Sequence, residues 1–579
     1  MFKKQNKYSK KIRFNLKNIF KKTNNLVDNL ETEEINKPQI NGWTLILGYM
    51  GIFFMIAGGI TLLPIITMIF YPNEFSRILA FLIPGVIAII SGFFLSRLLK
   101  NKTKARLEKY QDLILLILIW LSTCLICCVP FLLPDYIKNT NFRIGGLGLN
   151  FVQSMFETVS GFTTTGLTML TDSITPTKLL MGDGHCFLFY RSIIMLFGGI
   201  GFVLVLTCVV SDTYGMRLYY NEGHTDRLLP NLYKSAKLIL SIYIGLVLLG
   251  SLALWLGGMN SWTEIKTPIG CEGEPITSSY FEALCFSMTS FSTGGFATRN
   301  LSLYSFNNVT LEIILSIIML IGGTNFLIIF SAITLKFTKV FKDLDVKVEM
   351  IFAIIFIPIL VLLSSFNPTF IGTKLTLVEN LRYNVFHFIS GVTTTGAMNA
   401  ANIRNVFNTG TYSIMIFIMA CGCQQGSTCA GIKLYRVGIC AKSIYWTIKE
   451  KNLNPNTIYP HYVYKYGETK EIKDKEISDV NTYIFIYVGL LLLCAILISI
   501  VVDGYNFIDC LFEATSALSS TGLSSGIACG SQKPFILIIL TILMFVGRLE
   551  IYTFIYASKR LGHDVNDLFQ SKFKKIKKA

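Results

Sequence analysis

The sequence predicts an all-α polytopic membrane protein: four pseudo-repeated units of helix, re-entrant pore loop and helix around one central pore, plus an extra N-terminal transmembrane hairpin. Three observations predict it. Of 579 residues, 52% are hydrophobic and 15% charged, and a mean hydropathy of +0.54 is too high for a soluble chain of this length. Ten apolar windows of spanning length run near 43–70, 78–99, 112–134, 187–211, 237–257, 309–335, 348–366, 411–445, 482–502 and 534–558. Four segments between them say nearly the same thing: Ser160-Gly161-Phe162-Thr163-Thr164-Thr165-Gly166, Thr289-Ser290-Phe291-Ser292-Thr293-Gly294-Gly295, Ser390-Gly391-Val392-Thr393-Thr394-Thr395-Gly396 and Ser516-Ala517-Leu518-Ser519-Ser520-Thr521-Gly522.

In chain order, 1–42 is a basic arm with ten Lys or Arg. It lacks the apolar core and cleavage site of a secretory signal, so it is expected in the cytosol beside anionic lipid. The hairpin 43–111 stands outside the repeat. The units follow at 112–236, 237–347, 348–481 and 482–562, with a polar cytosolic insert near 446–481, and a basic tail at 563–579 closes the chain. Lys and Arg gather in every second connection: at 100–109; at Arg217, Arg227, Lys234 and Lys237; at Lys336, Lys339, Lys342 and Lys347; between Lys442 and Lys475; and in the tail. The positive-inside bias places these, and both termini, in the cytoplasm. The motifs therefore enter the membrane from the opposite side.

Non-helical backbone at membrane depth persists only where protein or a water-filled cavity satisfies it. A short helix expected to begin near Phe156-Glu157, Phe281-Glu282, Phe386-His387 or Phe512-Glu513 would aim its partly negative carboxyl end inward. Taken singly, a Thr/Ser/Gly cluster reads as an ordinary loop or a tight helix contact. Four copies in register with the topology favour a ring of carbonyls that replaces an ion's hydration shell. The candidate ion-binding residues are Thr163, Thr164, Thr165 and Gly166; Ser292, Thr293, Gly294 and Gly295; Thr393, Thr394, Thr395 and Gly396; and Ser519, Ser520, Thr521 and Gly522.

Two further features interrupt the apolar windows. The run 422–433, with Gly422, Gln425, Gly426, Ser427, Thr428 and Gly431, interrupts an apolar window and invites a helix break; a kinked packing helix is the plainer reading. Arg548 lies inside the last window, where a charge costs at least about 2.5 kcal/mol, so it is not expected to face lipid, with a snorkelling residue or structural ion pair as the plainer reading. Glu550, two residues on, does not share its helix face. Arg191 and Glu312 read as interfacial or structural.

Other chemistries find little support. Most of the 14 cysteines sit in apolar runs, as at Cys124, Cys127 and Cys128, where cysteine acts as a small hydrophobe. Cys186, Cys271 and Cys529 fall outside the membrane, and no spacing selects a disulfide among them. The five histidines are scattered, and no nucleophile–base set, zinc spacing or P-loop appears, so neither an enzyme nor a cofactor is expected. The net charge of +17 lies at segment ends, which fits membrane lipid and not nucleic acid.

Beyond the four motifs the chain carries Phe189-Tyr190-Arg191 with Gly198-Gly199-Ile200-Gly201, Ile321-Gly322-Gly323-Thr324-Asn325-Phe326, the run 422–433, and Gly547-Arg548-Leu549-Glu550. On these residues, the stretch from about 43 to 562 resembles the Trk/Ktr/HKT superfamily of potassium transporters, and the leading hairpin makes it most similar to the TrkH branch. The resemblance implies potassium uptake across the plasma membrane, the bacterial inner membrane, with potassium as substrate at the filter carbonyls and no cofactor. It implies that 422–433 gates conduction and that Arg548 limits leak. Gly166, where some sodium-transporting plant members carry serine, implies potassium. A homodimer with one pore per protomer, and a separate cytosolic nucleotide-binding regulatory subunit of the TrkA or KtrA kind, are implied as well. A sodium-permeable, or sodium- or proton-coupled, symporter of the same fold is the second reading.

Overall fold

The computed structural model describes residues 42–99, 110–136, 143–170, 184–201, 232–260, 278–366, 376–400, 403–454 and 459–576, together with Thr457 and the ladder Thr369–Phe370/Thr373–Lys374. The basic arm 1–41, the basic residues at 100–109, Arg217, Arg227, Cys271 and the end of the 187–211 window lie outside the described residues.

Helices α1 (Gly42–Leu62) and α2 (Ile78–Ser96) form the leading hairpin. Their backbones meet at glycines: a Cβ at Gly51 would lie 2.7 Å from Gly92 O, and one at Gly58 would lie 2.6 Å from Gly85 O. Such small-residue seams are how apolar helices pack when no hydrophobic force drives them together.

The units then run α3 (Gln111–Cys127), α4 (Phe151–Phe162) and α5 (His185–Ile200); α6 (Leu232–Leu256), α7 (Tyr280–Phe291) and α8 (Val309–Gly323), continued by α9 (Phe326–Ile333) and α10 (Phe337–Lys342); α11 (Leu344–Ser365), α12 (Leu377–Val392), α13 (Thr409–Cys421) and α14 (Leu434–Lys451); and α15 (Asp474–Val501), α16 (Phe507–Leu518), α17 (Pro534–Leu549) and α18 (Ile551–Ile576). In units one, two and four the middle helix, of 12 residues, is shorter than the helices on either side of it, while in unit three α12 has 16 residues against 13 in α13. These short helices start earlier than the Phe-Glu pairs suggest. Capping boxes at Asn150/Gln153, Thr376/Glu379 and Asn506/Asp509 satisfy the first free amides and fix the starts of α4, α12 and α16. Phe156, Phe386 and Phe512 therefore sit mid-helix and buried, and only Phe281 lies at a helix start.

The third helix of each unit packs on its own short helix and on the next one. Helix α5 touches α4 and α7, α8 touches α7 and α12, α13 touches α12 and α16, and α17 touches α16 and α4. Four units thereby close around one axis. The first helices of units two to four face outward with apolar side chains: Leu249 is 64% exposed on α6, Ile354 70% on α11 and Phe485 81% on α15. Apolar exposure on that scale suits hydrocarbon, not water.

Among the described residues, six helices are long and apolar enough to cross a membrane, and two bent pairs are so jointly. The windows 309–335 and 534–558, expected as continuous spans, bend by 114° between α8 and α9 and by 98° between α17 and α18. Asn325 caps α9 after the first bend, its Oδ1 accepting from Leu327 N at 2.7 Å, and Glu550 takes φ 63 at the second. Helix α5 stops at Gly201 (φ 86) and α13 at Gly422 (φ 66). All four third helices are thus interrupted just after they pass the short helices.

The insert at 446–481 is built from neighbouring elements. Helix α14 runs to Lys451, α15 begins at Asp474, and between them Tyr462–Lys465 pairs with Glu468–Glu471. Tyr466 and Gly467 close this hairpin with φ 54 and 90, the type I′ geometry whose twist matches that of paired strands. The tail is a helix to Ile576 as the continuation of α18.

Candidate functional site

Each short helix ends in the same way. Thr164 takes a left-handed conformation (φ 55), its amide donates to Gly161 O at 3.0 Å, and that of Thr165 donates to Ser160 O at 2.8 Å. This is a Schellman closure. It recurs with Thr293 and Gly294 on Ser290 O and Thr289 O, with Thr394 and Thr395 on Gly391 O and Ser390 O, and with Ser520 and Thr521 on Ala517 O and Ser516 O. Three of the four left-handed residues are β-branched, a state that costs on the order of 1–3 kcal/mol each and persists only where the surroundings enforce it.

That closure orients the carbonyls. In a planar trans peptide, the amide N–H and the preceding C=O point in opposite directions. The amides of Thr164, Thr165 and Gly166 all donate back into α4, the last to Ser160 Oγ at 3.1 Å, so the carbonyls of Thr163, Thr164 and Thr165 turn away from it. Gly522 N does the same to Ser516 Oγ at 2.9 Å. First- and third-position hydroxyls brace one another, Thr163 with Thr165 at 2.7 Å, Thr393 with Thr395 at 2.8 Å and Ser519 with Thr521 at 2.6 Å. The second-position hydroxyls of Thr164, Thr394 and Ser520 are buried and make no hydrogen bond to protein among the described residues.

The glycines close the arrangement into a circle. A Cβ on Gly166 would run into Gly294 O, one on Gly295 into Thr395 O, one on Gly396 into Thr521 O, and one on Gly522 into Thr165 O. Each has positive φ, 93, 68, 79 and 90 in order. All sixteen sequence-predicted residues are therefore gathered at one axis, with each unit's glycine against the next unit's carbonyl.

The run 422–433 lies directly beneath. Its neck is pinched, with Ile432 N donating to Ala420 O at 3.0 Å and Leu434 N to Cys423 O at 2.8 Å, and Gly431 (φ 85) lies against Gly422. From this neck Thr428 reaches up: its Oγ1 donates to Gly322 O at 2.9 Å and bonds to Thr293 Oγ1 at 3.0 Å. The Cys429 thiol donates to Thr393 O at 2.9 Å. Arg548 comes from the side and donates to Thr428 O, Gly198 O and Gly199 O. Its partners are carbonyls; Glu550 instead pairs with Arg436 at 2.7 Å. A cavity of about 30 Å³ between the loop and Arg548 is lined by Trp120, Gly201, Ser427, Lys433, Gly547 and Glu550 among others. Gln425, also expected here, faces the other way, toward Asp345, while Gly426 (φ 79) makes the turn between them.

The family model described as TrkH, a cation transport protein, matches residues 131–566. The chain belongs to the TrkH family. Over 524 residues it is 29% identical to an uncharacterized cation transporter of Methanocaldococcus jannaschii, an alignment that covers 89% of this chain and 95% of that one. Over 502 residues it is 24% identical to the Trk system potassium uptake protein TrkH of Escherichia coli K12, covering 82% and 93%. The crystal structure of the potassium transporter TrkH from Vibrio parahaemolyticus superposes with a TM-score of 0.69 at 20% identity, over 89% of this chain and 98% of that one, a likeness of fold. The chain is thus a multi-pass membrane protein of a cation transport family, and that family performs no covalent chemistry.

In this TrkH-family chain the sequence reading missed how the ring is held from behind. The buried Glu157 carboxylate accepts from Arg191 Nε at 2.8 Å, Thr168 Oγ1 at 3.0 Å and Met169 N at 3.0 Å. Glu282 accepts from Thr298 and Arg299, and Glu513 accepts from Ser524, Ser525 and Ala528. Each ties the segment leaving a glycine to the helix that preceded it. Arg191 and Glu312 are structural as expected, the latter paired with Arg382 at 2.6 Å. In the third unit the corresponding position is His387. His387 bonds to Tyr383 O at 2.8 Å, and its Nε2 makes no hydrogen bond among the described residues. The signal was present in the Phe-Glu pairs, whose Glu was read as a helix start.

Proposed function

We propose that this protein takes up potassium across the plasma membrane, the ion shedding its water for peptide oxygens at the four-glycine ring. The observation that carries the reading is the circle of glycine-on-carbonyl contacts. Carbonyls turned off their own helices, and three buried hydroxyls that make no hydrogen bond among the described residues, supply oxygen around one axis at membrane depth, where a dehydrated cation needs it. The Trk system potassium uptake protein of E. coli, similar over most of both chains, supports potassium as the ion.

The same reading makes 422–433 the gate. Its Thr428 and Cys429 lie against two of the four ring segments, and Arg548, bound to the loop carbonyl, puts a fixed positive charge where a cation would leave the ring. Opening requires the loop to part from Thr293, Thr393 and Arg548. A homodimer with a pore in each protomer and a cytosolic nucleotide-binding subunit that acts on the basic face belong to this proposal.

The test is growth of a potassium-uptake-deficient bacterium expressing the full chain in low potassium, with rubidium, sodium and lithium uptake measured on the same cells. Restored growth with rubidium uptake well above sodium and lithium is the expected result. Correct insertion without rubidium uptake would overturn the reading.

A further inference from the structure

We propose that Lys465 and Tyr466, at the tip of the hairpin Tyr462–Lys465/Glu468–Glu471, are positioning residues of the gate that hold the loop 422–433 in its seat from the side opposite the ring. The inference rests on the gating role assigned to that loop above.

Two adjacent glutamines of the loop are gripped from three elements. Lys465 Nζ donates to Gln425 Oε1 at 2.5 Å, and Tyr466 OH lies 3.4 Å from Gln425 O as a hydrogen-bond donor. Asn325, at the bend between α8 and α9, donates through Nδ2 to the same Gln425 O at 2.5 Å and to Tyr466 OH at 3.3 Å, and its amide donates to Gln424 Oε1 at 3.1 Å. From the start of α11, Asp345 Oδ2 accepts from Gln425 N at 3.2 Å and Glu349 Oε2 accepts from Gln424 Nε2 at 2.7 Å. Three residues beyond Gln425, Thr428 is on the ring. The loop is clamped between ring and hairpin, so it cannot leave the one without loosening the other.

The hairpin tip is built for this contact. The Lys465 ammonium is buried, and a buried charge is tolerated only when paired; besides Gln425 it lies 3.3 Å from the centre of the Tyr435 ring, a cation–π contact. Tyr466 N donates to Asp343 Oδ2 at 2.8 Å, and that aspartate also caps α11, so the tip and the helix carrying Asp345 and Glu349 move as one piece. The return strand Glu468–Glu471 is exposed along its length. Movement imposed on that strand reaches Gln425 through a single tight turn.

A merely structural hairpin and a latch differ in the direction of the effect. In proteoliposomes holding the full chain, rubidium flux per folded molecule is compared for the parent, Lys465→Met, Tyr466→Phe, Lys465→Arg, Thr469→Ala on the exposed strand, and Arg548→Ala, which removes the loop's other tether. A latch predicts that Lys465→Met and Tyr466→Phe each raise basal flux, by roughly twofold to tenfold, with the ranking of potassium, rubidium and sodium unchanged. Lys465→Arg should stay near the parent, and so should Thr469→Ala. Flux that rises in Arg548→Ala but stays flat or falls in both hairpin variants would overturn the latch and leave the gating role standing. Flux unchanged in all of them would overturn the gating role and the latch together.

Discussion

At the residue scale, the decisive position is Gly166. Two constraints coincide there: a φ of 93, which only glycine adopts without strain, and the carbonyl of Gly294 in the space a Cβ would fill. Any side chain must push the second unit's segment outward and disturb the spacing of the oxygens. Gly166→Ser is therefore expected to weaken discrimination, raising sodium uptake relative to potassium by about tenfold, the factor that corresponds to about 1.4 kcal/mol. Flux of both ions on the same vesicles measures it, and an unchanged cation ranking would remove Gly166 from the filter. The orphaned hydroxyls of Thr164, Thr394 and Ser520 belong to the same argument. Buried polar atoms are almost always bonded, and in the proposed reading a permeating cation is the partner these hydroxyls meet.

At the element scale, side chains of the short helices hold the ring's segments in addition to the hydroxyl contacts within the segments. In the first unit, Glu157 holds Thr168 and Met169 while Arg191, its partner, also lies 4.0 Å from the Phe296 ring centre and 3.4 Å from Ala297 O in the second unit. One ion pair therefore spans two quarters of the circle. Glu157→Ala leaves a buried guanidinium without its carboxylate, a change that costs about 3–5 kcal/mol. A fall in the thermal unfolding midpoint of the detergent-solubilised protein is expected, and a midpoint equal to the parent's would show that the pair does not brace the ring. The interruptions of the third helices follow the same logic. Glycine at 422, a capping asparagine at 325 and a strained Glu550 each let the chain turn aside below the ring, and α5 ends at Gly201.

At the scale of the whole molecule, the architecture was legible because lipid enforces it: apolar windows must be helices, and a motif copied four times between them fixes the unit. The break at Gly422 was legible too, because 422–433 puts small and polar residues into an apolar window. The bends at Asn325 and Glu550 were not, since their windows stay apolar on average. The short-helix starts were misplaced because Asn150, Thr376 and Asn506 signal them in advance of the phenylalanines. No local pattern reveals that Lys465 meets Gln425, forty residues away, or that the four glycines lie each against the next unit's carbonyl. Those are properties of the closed circle. The measurement that tests the circle most directly is anomalous diffraction from crystals of the full chain grown in rubidium. The account predicts rubidium density on the axis, enclosed by the carbonyls of Thr165, Gly294, Thr395 and Thr521. Well-ordered segments with no cation between them, or rubidium bound only elsewhere, would contradict it.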